Sequence, residues 1–250
     1  MTDKSLSSLA RMLGVLDLFN DTAPVWSAEA VAEAMKVSVP TAYRYVKLLV
    51  ASGLLQRSAE SQYSLGPRII VLDHFIRAGD PVLQHAVPFM KELVETTGFD
   101  CVISALYGQQ LLDTHREYGS VPADLGYGRG RPRPLFLGGA PKVILSCFTP
   151  SALHKVFDQH PEAIAQAGLP TEWSEFRKYY SSIRKAGHYL SNGELESNLA
   201  ALAAPIQKAD GTVLGAISVV TTVQRMAVID VAKVAALVMR CAADIAIRVP

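Results

Sequence analysis

Pro40, Tyr43, Arg44 and Lys47 stand at i, i+3, i+4 and i+7, so a helix through them presents a ring, a guanidinium and an ammonium on one face. Thr41 lies beside this row, and Ser38, Val39 and Pro40 lead into it. The chemistry such a face offers is the binding of a polyanion with a readable edge. Arginine and lysine can meet phosphate or guanine, and tyrosine and threonine can donate to phosphate or touch a thymine methyl, on an element that fits the DNA major groove. Arg57 and Gln62 follow in a short polar hairpin from which they could reach neighbouring phosphates. Taken alone, the same pattern also describes the ordinary polar exterior of a small helical domain.

A second concentration of charge is Arg129-Gly130-Arg131-Pro132-Arg133, three guanidiniums on one short stretch. Guanidinium forks suit carboxylates, so Arg131 or Arg133 is a candidate partner for an acidic small molecule. A solvated charged loop is the competing reading. His115, His154, His160 and His188 stand singly, without the spacing of metal ligands or of a base beside a nucleophile. Cys101, Cys147 and Cys241 are odd in number and set among apolar neighbours, which reads as three buried reduced thiols rather than a disulfide framework or a zinc site. The chain carries no nucleophile elbow, glycine-rich phosphate loop or dinucleotide fingerprint. An enzyme is therefore the less favoured reading, and no cofactor or metal is expected.

These residues must be positioned by elements that the pattern also supplies. Ser5 can cap a first helix with Leu6, Leu9, Leu13 and Leu16 on one buried stripe, stopped at Asn20–Pro24. Ser27 caps a short second helix whose inner face is Val31 and Ala34, with Glu29 near its positive end. A third helix opens at Ser38 and Pro40 and stops at Gly53, with Ala42, Tyr45, Val46 and Leu49 facing the core. Leu54–Arg57 and Gln62–Leu65, turned through Ser58–Ser61, form a hairpin that serves as a wing. A helix from Pro67 to about Ala78 carries Ile69, Ile70, Leu72, Phe75 and Ile76 and ends at Gly79-Asp80-Pro81, where the domain boundary falls.

Beyond that boundary, a helix to Thr97 precedes two strands, Phe99–Tyr107 and Leu111–Glu117. Gly126–Pro134 reads as a loop, and Leu135–Phe148, Ser151–His160 and Glu172–Ala186 read as helices. Strands resume at His188; Ala201–Gln207 and Thr212–Thr221 flank the turn Asp210-Gly211, and a last helix spans about Ala227–Ile247. Helices alternating with antiparallel hairpins give an α+β domain.

Composition is compatible with this plan. Half of the 250 residues are hydrophobic and 19% are charged, enough apolar material for a sizeable core. The net charge of +1 hides an asymmetry, because Lys36–Arg68 holds five cations against one acid while Met1–Met35 holds two against five. Any basic surface is thus local. No signal-like apolar core opens the chain, and its most apolar late stretch, Ala227–Val249, is broken by charges. A cytoplasmic protein with no membrane span is the expectation.

The run Met35–Leu55 resembles the helix-turn-helix of the IclR family of transcriptional regulators, and Tyr63-Ser64-Leu65-Gly66-Pro67-Arg68 is similar to that family's wing exit. Gly187-His188-Tyr189, Glu194-Leu195-Glu196, Ala203-Ala204-Pro205-Ile206 and Ala216-Ile217-Ser218-Val219 resemble its ligand-domain strands in order and spacing. The resemblance implies an N-terminal winged helix-turn-helix (1–66), a linker helix used in dimerisation (67–80) and a C-terminal GAF-like, antiparallel-sheet effector-binding domain (81–250). It implies double-stranded DNA with inverted half-sites as partner, a homodimer or tetramer, and a small-molecule effector.

The family's effector positions match Ser191, Ala201, Ser218 and Val220, with Gly138 and Gly139 opening a nearby helix. Departures fall at Phe136, Ser191-Asn192, Asn198, Ala201 and Val220, where the family more often has a histidine, an acid, a glycine, a cysteine and a serine. These changes speak against metal and make the pocket more apolar, which suits an aromatic or carboxylated effector. Phe136 and Asn192 join the candidate lining on that basis, and Arg131 as the loop guanidinium that could meet an acidic effector. A ligand-binding module with a degenerate helix-turn-helix is the alternative, and it would lack salt-dependent duplex binding.

Overall fold

Ser7 opens the first helix, α1 (Ser8–Leu13), by accepting the Ala10 N–H on its Oγ at 3.2 Å. The structure is a computed structural model that describes residues 7–58 and 61–250. Ser5 and Leu6, read as cap and first stripe residue, lie outside the described residues, as do 59 and 60 in the hairpin turn. The leucine stripe differs from expectation: Leu9 and Leu13 are exposed and α1 buries no residue. A 3-10 turn, Gly14–Leu18, follows at once and buries Val15. Met12 and Leu16 pack with Val15 in the core of this unit, so Met12 and Val15 face inward in place of Leu9 and Leu13.

In the rest of the N-terminal unit, which runs to Gly79, the apolar pattern holds in full for the third helix and in part for the second. Ser27 caps α2 (Ala28–Met35), which ends at a left-handed Lys36 and buries Val31 with Ala32, while Ala34 is exposed. Helix α3 (Val39–Ala51) buries Ala42, Tyr45, Val46 and Leu49. Full burial of a large apolar side chain stabilises by roughly 1.5–3 kcal/mol, so this stripe sets how the polar side of α3 is presented. Strands β1 (Trp26–Ser27), β2 (Leu55–Arg57) and β3 (Gln62–Leu65) pair antiparallel in the order β1-β3-β2. Helix α4 (Arg68–Gly79) buries nothing: Ile70, Val71, Leu72, Phe75 and Ile76 are all exposed.

The second unit, Asp80–Pro250, is built on one six-stranded antiparallel sheet, ordered β6-β5-β4-β9-β8-β7. Its strands are β4 (Asp100–Tyr107), β5 (Gln110–Glu117), β6 (Pro132–Arg133), β7 (Tyr189–Asn192), β8 (Leu199–Gln207) and β9 (Val213–Thr222). Asp80 caps α5 (Pro81–Thr97) with Oδ1 on the Val82 and Leu83 amides, and Asp230 caps α11 (Val231–Arg248). These two helices cover one face of the sheet through Met90, Leu93, Val238 and Ile245 against Cys101, Leu202, Ile217 and Val219. The other face carries α6 (Gly139–Ser146), α7 (Pro150–Gln159), α8 (Pro161–Gln166) and α9 (Trp173–Ala186), packed through Phe136, Ile144, Phe176 and Tyr180. A four-residue helix, α10 (Val223–Met226), links β9 to α11.

Four segments depart from the pattern reading, the first being the last helix, which was expected from about Ala227 and begins at Val231 after the separate α10. Pro132–Arg133, expected within a loop, forms a short edge strand on Leu111 and Leu112. The helix expected from Leu135 begins at Gly139, because Gly138 has φ +90°, a conformation only glycine adopts readily. Residues 161–166 form α8, opened by Pro161. All three cysteines are free thiols; Cys101 and Cys241 are buried and Cys147 is half-buried. Burial, with Asp244 and Glu92 nearby, pushes the Cys241 thiol up to about 12. No helix among the described residues is long and apolar enough to cross a membrane.

Candidate functional site

The exposed side of α3 is set by its own buried stripe. Pro40, Tyr43, Arg44 and Lys47 face solvent, as do Ser38 and Val39 before them, and Thr41 is half-buried. The Ser38 carbonyl accepts the amides of Thr41 at 2.9 Å and Ala42 at 3.0 Å, and the two hydroxyls of Ser38 and Thr41 lie 2.9 Å apart. The Arg44 guanidinium lies 5.8 Å from the Tyr45 ring centroid. Arg57 and Gln62 are exposed on the hairpin. Tyr43 differs in detail from the sequence reading: its hydroxyl donates to Glu29 Oε1 at 2.8 Å. That bond raises the Tyr43 phenol above its usual range and lowers the Glu29 carboxyl below its own. With its proton engaged by α2, Tyr43 offers an incoming duplex an apolar ring and an acceptor rather than a free donor.

In the second unit, strand register assembles a cavity. Ser191 pairs with Ala201 and Ala201 with Val220, which makes a row across β7, β8 and β9. Two residues along β9, Ser218 pairs with Ala203 on one side and Val102 on the other. Alternation turns Ile217 and Val219 to the α5/α11 core and Ser218 and Val220 to the opposite side. There they line a cavity of about 500 Å³, counting its open mouth, with Val102, Asp113, Arg133, Gly138, Ser191 and Ala201. Leu125 and Tyr127 close it from the β5–β6 loop, and Leu195 and Glu196 from the β7–β8 loop.

Of the residues expected at the effector site, Gly138, Ser191, Ala201, Ser218 and Val220 therefore come together. Four do not line the cavity. Phe136 is buried in the α6–α9 core, with ring centroids 5.9 Å from His160 and 6.4 Å from Phe176. Asn192 points to solvent, because strand alternation sets it opposite Ser191. Gly139 is a packing residue: a Cβ there would stand 2.9 Å from the Ala203 Cβ, so glycine lets α6 lie directly on β8. Arg131 donates to the Gly126 carbonyl at 2.6 Å and stays on the loop.

The arginine that reaches the wall is Arg133, brought in by β6. Its Nη1 donates to Asp113 Oδ1 at 2.9 Å, and the same oxygen accepts the Ser104 hydroxyl at 2.7 Å. Asp113 was missed in the sequence; an acid directly after the apolar pair Leu111-Leu112 within a strand was the available signal.

Two glutamates hold the cavity's loops. Glu196 Oε1 accepts the Gly126 amide at 3.0 Å, tying the β7–β8 loop to the β5–β6 loop. Glu194 accepts the Gly138 amide at 3.2 Å and the Tyr189 hydroxyl at 2.8 Å and pairs with Lys142, a lysine only 3% exposed on α6. Tyr179 in turn donates to the Tyr189 hydroxyl at 3.0 Å. Together, burial and the bonds from Tyr179 and to Glu194 push the Tyr189 phenol far above its usual range. Removing one partner of a buried pair leaves an uncompensated charge, at a cost of about 3–5 kcal/mol. Glu194→Ala is therefore expected to lower the denaturation midpoint of this unit more than Lys142→Met, which leaves Glu194 within reach of water. Equal losses in urea melts would show that burial of Lys142 is not what the pair compensates.

Comparison with known proteins agrees with both units. The family model described as the IclR helix-turn-helix domain matches residues 8–59, and that described as the bacterial transcriptional regulator IclR C-terminal matches residues 78–247. The HTH-type transcriptional regulator XynR of Escherichia coli is 23% identical over 223 residues, covering 88% of each chain. An IclR homologue from Microbacterium hydrocarbonoxydans, crystallised with 4-hydroxybenzoate, superposes with a TM-score of 0.79 at 21% identity, over 97% of this chain and 99% of that one. An IclR-family regulator from Brucella abortus gives 0.80 at 18% identity, over 100% and 95%. The chain belongs to the IclR family of bacterial transcriptional regulators, with an N-terminal helix-turn-helix that binds DNA and a C-terminal domain that receives a small-molecule effector.

Proposed function

We propose that this regulator acts in the cytoplasm as a homodimer or tetramer on an operator of inverted half-sites, and that a small aromatic acid in the C-terminal cavity sets its affinity for that operator. The observation that carries the effector class is the cavity lining. Val102, Leu125, Tyr127, Leu195, Leu199 and Val220 offer apolar contact, and Asp113, Arg133, Ser191, Glu196 and Ser218 supply a few polar groups. The likeness to a homologue that holds 4-hydroxybenzoate supports an effector of that kind.

On the DNA side, Arg44 and Lys47 of α3 enter the major groove with Tyr43 and Thr41, Ser38, Val39 and Pro40 approach from the helix start, and Arg57 and Gln62 meet flanking phosphates. Arg57→Ala should weaken all duplexes alike and flatten the dependence of log K on log salt by about one unit, one phosphate contact's worth. Arg44→Ala should instead reduce the preference for operator over random DNA, by about 1–3 kcal/mol for a lost base contact. Fluorescence titrations across a salt series separate the two, and an unchanged slope removes Arg57 from the interface. Because effector and DNA act on one conformational equilibrium, each should change the other's affinity by the same factor, typically about 5–150-fold.

A further inference from the structure

Arg133 is the guanidinium at the cavity wall, yet it is not available as a simple carboxylate receptor. Asp113, only 5% exposed and also on the wall, already neutralises it at 2.9 Å. A second carboxylate brought here would stand beside Asp113 with no cation left to compensate it, inside a site that also holds Glu196. An ammonium drawn to Asp113 would have to share that carboxylate with the Arg133 guanidinium already paired to it, and Glu196 is engaged by the Gly126 amide. An apolar group would leave polar atoms stranded, because Arg133 Nε and the Ser218 hydroxyl are buried and have no hydrogen-bond partner among the described residues.

The remaining capacities are complementary. A carboxylate can accept about four hydrogen bonds, and Ser104 and Arg133 use two on Asp113, both on Oδ1. Acceptor capacity on Asp113 thus lines the same cavity as unused donors on Arg133, its partner at 2.9 Å, and on Ser218. One neutral group both donates and accepts in that way. We propose that the Asp113–Arg133 pair, with Ser218, forms a subsite for a hydroxyl on the effector's ring, so that the ring's acid group points away from Arg133 toward the mouth. This deepens the aromatic-acid reading above and rests on it. Asp113 becomes the residue that sets specificity, by turning an arginine that would otherwise select an anion into half of a neutral pair.

The test is a calorimetric titration of the full chain with four probes on one scaffold: benzoate bearing at the para position a hydroxyl, a hydrogen, a second carboxylate or an aminomethyl group. The hydroxylated probe is expected to bind at least about tenfold more tightly than plain benzoate, a difference of about 1.4 kcal/mol, and both charged probes more weakly still. Asp113→Asn keeps the side chain's shape but frees the charge of Arg133, so it should improve binding of the dicarboxylate by about tenfold or more relative to wild type. A purely structural role for Asp113 would not produce such a gain. Should that variant fail to fold, Ser218→Ala supplies the second arm, with loss of most of the hydroxyl advantage over benzoate. Binding of the benzoates without preference for the hydroxyl, or tightest binding of the dicarboxylate to wild type, overturns the subsite and leaves the aromatic-acid reading standing. Binding of none of the four overturns that reading and the subsite with it.

Discussion

Ser218→Trp is expected to abolish the effector response while effector-free operator binding stays largely intact. Ser218 is 2% exposed and lies between Val102 and Ala203 in the sheet, so an indole at this position projects into the cavity rather than into solvent. Ser218 lines the cavity beside Val102, Ala201 and Val220, so an indole there takes the wall space against which a ring-sized ligand would lie. A ligand that cannot bind exerts no differential affinity on the two conformations, so a coupling of about 5–150-fold should fall to none. Overpacking of this kind costs about 1–3 kcal/mol, and thermal melts should accompany the binding assays. Mobility shifts with and without effector give the result directly; a variant that still responds in full would move the effector site elsewhere.

The second large effect concerns α4. Five large apolar side chains stay exposed on this 12-residue helix, from Ile70 at 74% to Leu72 at 41%, and none is buried. A contiguous apolar surface of that kind marks an association site, and two-fold pairing through it would present two recognition helices to two half-sites. Ile70→Glu with Phe75→Glu, which removes no core contact, should give a monomer in sedimentation equilibrium at micromolar concentration. Loss of the second half-site should then weaken operator binding by about 10²–10⁴-fold, the gain that linking two modules supplies, while binding to a single half-site barely changes. A dimer that persists in this variant, with full operator affinity, would exclude α4 as the contact.

Legibility differed between the two units for a physical reason. Helix α3 could be read in detail because its determinants are local: a proline in the first turn, a stripe at helical spacing and a left-handed glycine, Gly53, just after its end. The leucine stripe of α1 misled because apolar residues fall on more than one face there, and Met12, Val15 and Leu16 meet the core while Leu9 and Leu13 stay exposed. In the cavity, the small residues of β7, β8 and β9 could be aligned one by one, whereas Phe136 and Gly139 could not be assigned from position alone. Gly139 follows the cavity residue Gly138 and Phe136 stands two before it, but Phe136 turns into the α6–α9 core and Gly139 supports α6 on Ala203.

By itself, the sequence determined the helix-turn-helix, the polar face of α3, the antiparallel character of the second unit and the alternation that sends Ser218 and Val220 to one side of β9. Each follows from residues close together in the chain, where periodicity, caps and turn chemistry act. Only the tertiary structure decided that Arg133, and not Arg131, reaches the cavity, that Asp113 neutralises it, and that Glu194 and Glu196 hold the loops around it. Asp113 and Arg133 are 20 residues apart and meet because β6 pairs at the edge of the sheet, while Glu194 and Gly138 are 56 apart. Partners so distant are chosen by strand order and register, which local propensities do not encode.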